Sequence, residues 1–254
     1  MNEPFRDVRV CADAVAAEAL AAGLVADQVA RRPHSVLGLA TGRTMIGVYE
    51  ALIERAHAEG LSFAEVESFN LDEYCGLGPE DAASFARYME RHLFSRLDFD
   101  KARCHLPDGL AADGAPRYEA LIRRAGGIDL QLLGIGRNGH IGFNEPGSAR
   151  GSRTRVVELS EETREANRPD FPAGHEVPGT AITMGVATIL EARRIVLVAT
   201  GAAKAEALAG ALEGEVGEHN PASFLQGHRH VTIVCDREAA AGLGAAAHKE
   251  THIG

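Results

Sequence analysis

Apolar positions in this chain alternate between two spacings. Residues 12–30 are alanine-rich with the spacing of an amphipathic helix, which Pro33 ends. Residues 35–40 form a short apolar run that closes on Thr41-Gly42, and a helical pattern follows to about Glu59. The same order recurs where 66–71 runs into Asp72-Glu73, 129–135 into Gly136, 194–199 into Thr200-Gly201, and 231–235 into Asp236. Helix-like segments at 84–97, 116–125, 202–212 and 237–247 follow most of these runs. Short strands alternating with helices of about 10–15 residues predict right-handed βαβ units. The expected fold is therefore α/β, a mostly parallel sheet with helices on both faces. Two stretches break the pattern, the Gly/Pro-rich 139–151 and the weakly patterned 164–180, and both predict long loops, which in compact proteins usually carry function. An open parallel sheet binds ligands at the carboxyl ends of its strands. That rule selects Thr41 to Thr44, Asp72-Glu73, the segment from Gly136 onward, and Gly201 with Lys204.

Composition narrows the class. The 254 residues suit a single α/β domain spanning 1–254, and 45% hydrophobic with 24% charged residues can build a substantial core. A formal net charge of −10 disfavours nucleic acid and acidic membrane surfaces, because a polyanion requires a broad basic face. It leaves room for a small anionic substrate in a local basic pocket. Only three residues are lysine, so Lys204 stands out against an arginine-rich background. The four cysteines are scattered, the start MNEPFRDVRV has no signal-peptide pattern, and no apolar run reaches the 18 or so residues of a membrane span. A soluble protein of the reducing cytoplasm is expected.

The strand ends carry the candidate chemistry. Leu39-Ala40-Thr41-Gly42-Arg43-Thr44 places a glycine and two hydroxyls where a strand gives way to a helix. Free backbone N–H groups there suit a phosphate, although an ordinary βα turn with Thr44 near an N-cap has the same appearance. The turn lacks the Gly-Lys-Ser/Thr ending of a nucleotide-binding loop, which favours a sugar phosphate. In Asn70-Leu71-Asp72-Glu73-Tyr74, one carboxylate can face a crevice as a general base and the other face solvent. Gly134-Ile135-Gly136-Arg137-Asn138-Gly139 matches G-x-G-x-x-G, with Glu158 at roughly the spacing of a ribose-binding acid. The following His140 to Gly147 segment cannot open a helix, so the dinucleotide meaning fails and the glycines instead admit a small ligand. His140 and Glu145 can meet on that kinked loop as an imidazole–carboxylate pair able to shuttle a proton. His228-x-His230 and His248…His252 lack further ligands, so no metal site is expected.

Taken together, Gly38-Leu39-Ala40-Thr41-Gly42, Asn70 to Tyr74 and Gly134 to Pro146 resemble the glucosamine-6-phosphate deaminase family. Further similarity lies in Ser152-Arg153-Thr154-Arg155, 181–186 and 201–204, so the likeness runs through nearly the whole chain in order. The resemblance implies a Rossmann-like sheet and a conversion of D-glucosamine 6-phosphate and water into D-fructose 6-phosphate and ammonia, with no metal or cofactor. It implies that His140, held by Glu145 and Asn138, assists opening of the sugar ring, and that Asp72 moves a proton from carbon 2 to carbon 1. It further implies that Thr41, Gly42, Arg43, Thr44, Gly136, Lys204 and Arg168 hold the substrate and its phosphate.

The chain departs from the family pattern in three places. Asn138 stands where some members have aspartate and can orient the imidazole without adding a charge. Arg168 is displaced by one position from the family's phosphate-binding arginine. Val157 and Glu158 replace a basic effector-binding residue, which predicts weak or no activation by N-acetylglucosamine 6-phosphate. The alternatives are a 6-phosphogluconolactonase-type hydrolase and a non-catalytic sugar-phosphate-sensing domain. The choice between glucosamine and galactosamine 6-phosphate, and between monomer and homo-oligomer, stays open at this level.

Overall fold

The computed structural model describes residues 6–172 and 174–244. Seven parallel strands make the main sheet in the order β1 (Arg6–Cys11), β10 (Val231–Asp236), β9 (Arg194–Ala199), β6 (Leu130–Gly134), β2 (Val36–Leu39), β3 (Glu67–Asn70) and β5 (Cys104–His105). Helices α1 (Ala14–Arg31), α2 (Arg43–Glu59), α3 (Phe85–His92), α4 (Gly114–Arg124), α5 (Glu161–Asn167), α6 (Val186–Leu190) and α7 (Ala205–Glu213) surround it. The steps from β1 to β2, β2 to β3 and β3 to β5 run toward one edge, and those from β5 to β6, β6 to β9 and β9 to β10 run toward the other. Right-handed crossovers then place α1, α2 and α3 on one face and α4 and α7 on the opposite face. The direction reverses between the neighbouring strands β2 and β6, so their following loops part and leave a crevice at the carboxyl ends.

Burial explains which strands were conspicuous. β2 is buried throughout, and β6, β9 and β10 are buried along nearly their whole lengths, which selects the near-continuous apolar runs of a two-sided core. β1 was not expected, because RDVRVC alternates charge with apolar residues as an edge strand does. α1 starts where the Asp13 side chain accepts the Ala16 N–H at 2.9 Å. The helix expected over 84–97 ends at His92 and gives way to a 3-10 turn at Phe94–Arg96. The one expected over 202–212 begins as a 3-10 turn, Ala202–Lys204, before α7. Of the segment 237–247, the described part forms only a 3-10 turn at Ala239–Gly242, and residues 245–247 lie outside the described residues.

A second, antiparallel sheet of β4 (Asp72–Tyr74), β8 (Thr180–Thr183) and β7 (Arg155–Glu158) stands beside the first. Asp72-Glu73, expected as a turn, is therefore strand. Leu71 is the junction: its N–H still donates to Leu39 of β2, while its carbonyl accepts the Met184 N–H just past β8. Tyr74, Phe143, Leu159, Val177 and Ala181 form a small separate core under this sheet, with Phe85 and Phe171 packed against it. Among the described residues no helix is long and apolar enough to cross a membrane.

Candidate active site

β8 brings the two chemical segments together. Its Thr183 pairs with Asp72 across the small sheet, and the Thr183 hydroxyl accepts the Phe143 N–H at 3.1 Å. Asn144 completes the seam by donating to the Ile141 and Met184 carbonyls at 2.9 and 2.7 Å. Arg155 closes the far end of the loop, donating to the Asn144 side-chain oxygen at 2.8 Å and to Ser148 Oγ at 3.1 Å. Gly142, at φ 56°, lies so close that a side-chain carbon there would sit 3.3 Å from Asp72 Oδ2. The long loop expected over 139–151 is thus real, and it is pinned over the carboxylate of β4.

Asp72 is 5% exposed, and nothing among the described residues donates a hydrogen bond to its carboxylate. Burial, with Glu73 adding like charge, pushes its pKa up to about 8. Glu73 does not face solvent as expected. It is buried and accepts the N–H groups of Tyr74, Phe85 and Ala86, each at 2.9 Å, capping the start of α3. Burial raises its pKa against those three bonds. The two adjacent carboxylates therefore have different jobs, one unpaired and one structural.

His140 and Glu145 were expected to pair directly. The imidazole Nδ1 lies 3.6 Å from Glu145 Oε2, within ion-pair reach, and Asn138 also bridges the two. Asn138 Oδ1 is 2.8 Å from His140 Nδ1, and Asn138 Nδ2 donates to Glu145 Oε2 at 2.6 Å. With its NH₂ committed to the carboxylate, Asn138 presents an acceptor to the ring. Nδ1 then carries a proton in either charge state of the ring, and only Nε2 gains or loses one. Thr163 of α5 donates to the other Glu145 oxygen, and Thr163 is in turn joined by Ser160 Oγ at 3.1 Å. Burial works against the charge of Glu145, but the bonds from His140 and Thr163, the histidine charge and the Asn138 bond outweigh it and hold the pKa down to about 2. Gly136 lies beneath the ring, where any side-chain carbon would overlap the imidazole. Thr163 was missed in the sequence because it sits eighteen residues from its partner, just before the stretch 164–180 read as loop.

The phosphate turn has a different construction from the one expected. Gly42, at φ 112°, is the N-cap of α2, and no side chain caps that helix. The Thr44 hydroxyl turns instead to Thr200 Oγ1 at 3.2 Å, tying the ends of β2 and β9. Tyr88 of α3 donates to the Gly42 carbonyl at 2.7 Å. Lys204 is half-buried, and its pKa is lowered by burial and then by the charge of Arg137. Arg168 is exposed in a 3-10 turn, and its side chain makes no hydrogen bond or ion pair among the described residues. Val157 packs against the small core and Glu158 is exposed, so neither offers a cation. His228 is structural, with Nε2 at 2.8 Å from the Ala192 carbonyl, and His248 and His252 lie outside the described residues.

The family model described as glucosamine-6-phosphate isomerases/6-phosphogluconolactonase matches residues 7–234. Glucosamine-6-phosphate deaminase of Rhodopirellula baltica is 54% identical over 240 residues, which are 93% of this chain and 95% of that one. Glucosamine-6-phosphate deaminase 1 of Bacillus subtilis is 48% identical over 224 residues, 87% of this chain and 93% of its own. A solved monomeric glucosamine-6-phosphate deaminase superposes with a TM-score of 0.90 at 46% identity, covering 93% of this chain and 99% of that one. The 6-phosphogluconolactonase of Trypanosoma brucei, at 21% identity and a TM-score of 0.75, shares the fold. Sequence, fold and loop order thus agree over almost the full length, and the chain belongs to the glucosamine-6-phosphate isomerase/6-phosphogluconolactonase family.

Proposed function

We propose that this protein is a glucosamine-6-phosphate deaminase, converting D-glucosamine 6-phosphate and water into D-fructose 6-phosphate and ammonia in amino-sugar breakdown. The observation that carries the reading is Asp72, a buried carboxylate without a donor, lying against the loop that presents His140. In this scheme His140 Nε2 takes the proton of the ring hydroxyl at carbon 1 and returns one to the ring oxygen, opening the sugar. Asp72 then removes the carbon 2 proton, the carbon 1 oxygen takes a proton from the substrate ammonium to give an enolamine, and Asp72 returns its proton to carbon 1. The resulting ketimine at carbon 2 takes up water and releases ammonia. Each acid–base group contributes about 10²–10⁴-fold, and alignment adds more. The reaction would run in the cytoplasm, consistent with four free cysteines, and without activation by N-acetylglucosamine 6-phosphate, for which Val157 and Glu158 supply no cation.

The test is incubation with glucosamine 6-phosphate, quantifying ammonia and fructose 6-phosphate, with Asp72→Asn as the control. Both products are expected in equal amounts from the wild type. A folded wild type that makes neither would sink the assignment, and turnover of galactosamine 6-phosphate in parallel fixes the preference at carbon 4.

A further inference from the structure

Three neighbouring strands, β9, β6 and β2, are each followed within about five residues by a cation: Lys204, Arg137 and Arg43. The register sets β6 and β9 side by side through Gly134 and Val198, so Arg137 and Lys204 leave the sheet together. None of the three makes an ion pair among the described residues, although the chain has 36 acidic residues against 26 basic ones. Two carboxylates beside the Lys204 turn are engaged with its backbone. Asp236 accepts the Gly201 N–H at 2.8 Å and Glu238 the Ala202 N–H at 3.3 Å. Those two bonds also remove the first N–H groups of the Lys204 turn as phosphate donors, which leaves the side chains and the uncapped start of α2 to hold the anion. Arg43 at the first turn of α2 faces the positive end of a helix, an arrangement that an intervening anion relieves.

Resting on the deaminase reading, we propose that Arg137, at the end of β6, is the second cation of the phosphate subsite. In this role it works with Lys204 and replaces the displaced Arg168. The electrostatic coupling between Arg137 and Lys204 agrees with this placement, because two like charges without a shared carboxylate lose their mutual repulsion when a phosphate bridges them. A guanidinium suits the role through its two parallel N–H donors, which match two phosphate oxygens. The position also lies next to Asn138, so substrate phosphate bound at Arg137 draws on the same loop that orients His140.

The test measures binding of fructose 6-phosphate and of inorganic phosphate by calorimetry, alongside deaminase kinetics, for wild type, Arg137→Gln, Arg137→Lys and Arg168→Gln. Arg137→Gln is expected to weaken both ligands by about 10- to 100-fold, the range for a hydrogen bond to a charged group. It is expected to raise KM by a similar factor while kcat changes less than threefold, and Arg137→Lys should fall between it and the wild type. Arg168→Gln should bind within about threefold of the wild type. Unchanged binding by a folded Arg137→Gln, or a larger loss in Arg168→Gln, overturns the proposal. A wild type that binds fructose 6-phosphate through Arg137 but releases no ammonia leaves this subsite standing and removes the deaminase reading. A wild type that binds neither ligand overturns both.

Discussion

Asp72, buried beneath the 139–151 loop, and Glu145, half-buried within it, are two carboxylates with opposite electrostatics. Asp72 has no donor and is pushed up to about 8, whereas Glu145 collects bonds from Asn138, Thr163 and the histidine and is held at about 2. Burial raises both, so the number of donors decides the outcome. The site thereby obtains a carboxylate avid for a proton and another that never gives up its charge, from the same functional group.

The strongest way to break the contrast is Asp72→Asn, expected to lower kcat by at least about 10²–10⁴-fold. The same variant reports on stability. The folded chain holds the Asp72 proton up to about 8, whereas the ordinary value is 3.8. The folded state therefore carries the extra proton between those values, and wild-type stability falls as pH rises through that window. Asp72→Asn should be more stable than wild type at pH 8, and the difference should vanish near pH 4 in denaturant titrations. In wild-type kinetics the acid limb of kcat/KM should lie near 8, and that of kcat lower, because the substrate ammonium favours the ionised base.

Glu145→Gln comes next, with a loss of about 10²-fold in kcat from misplacement of the imidazole. Its linkage has the opposite sign. A carboxylate ordinarily at 4.5 and held at about 2 contributes stability that is complete above 4.5 and lost as pH falls through about 2. The variant should flatten the acid-unfolding curve in that range, and an unchanged curve would show that the bonds to Glu145 carry no net stability. The smallest effect is expected from Thr163→Val, which leaves one carboxylate oxygen without its donor. It should cost about 1–3 kcal/mol in chemical denaturation and only a few-fold in kcat. Its NMR titration should move the Glu145 midpoint upward.

The sequence made the contrast only half visible. The buried strands announced themselves because two-sided burial demands uninterrupted Val, Leu and Ile, and the loops at their carboxyl ends followed from sheet topology. The edge strand β1 alternates charged with apolar residues, and the strands of the small sheet are only three or four residues long, so neither left such a mark. Asp72 was singled out as a candidate from its place at a strand end, but Glu73 was misjudged because its partners Phe85 and Ala86 lie a dozen residues away in α3. Thr163 and the Asn138 bridge depend on side chains meeting in three dimensions, and spacing alone points to His140 and Glu145 without the amide between them.

One helix joins the two ends of the candidate site. The start of α3 is fastened to Glu73, one residue from the base, and its Tyr88 grips the Gly42 carbonyl in the phosphate turn. In the proposed reaction this single helix of eight residues would set the span between the turn that takes the charged tail of a substrate and the carboxylate that moves its proton. It would then act as a gauge for substrate length, since a phosphorylated sugar of the wrong number of carbons could reach the 41–44 turn or Asp72 but not both at once.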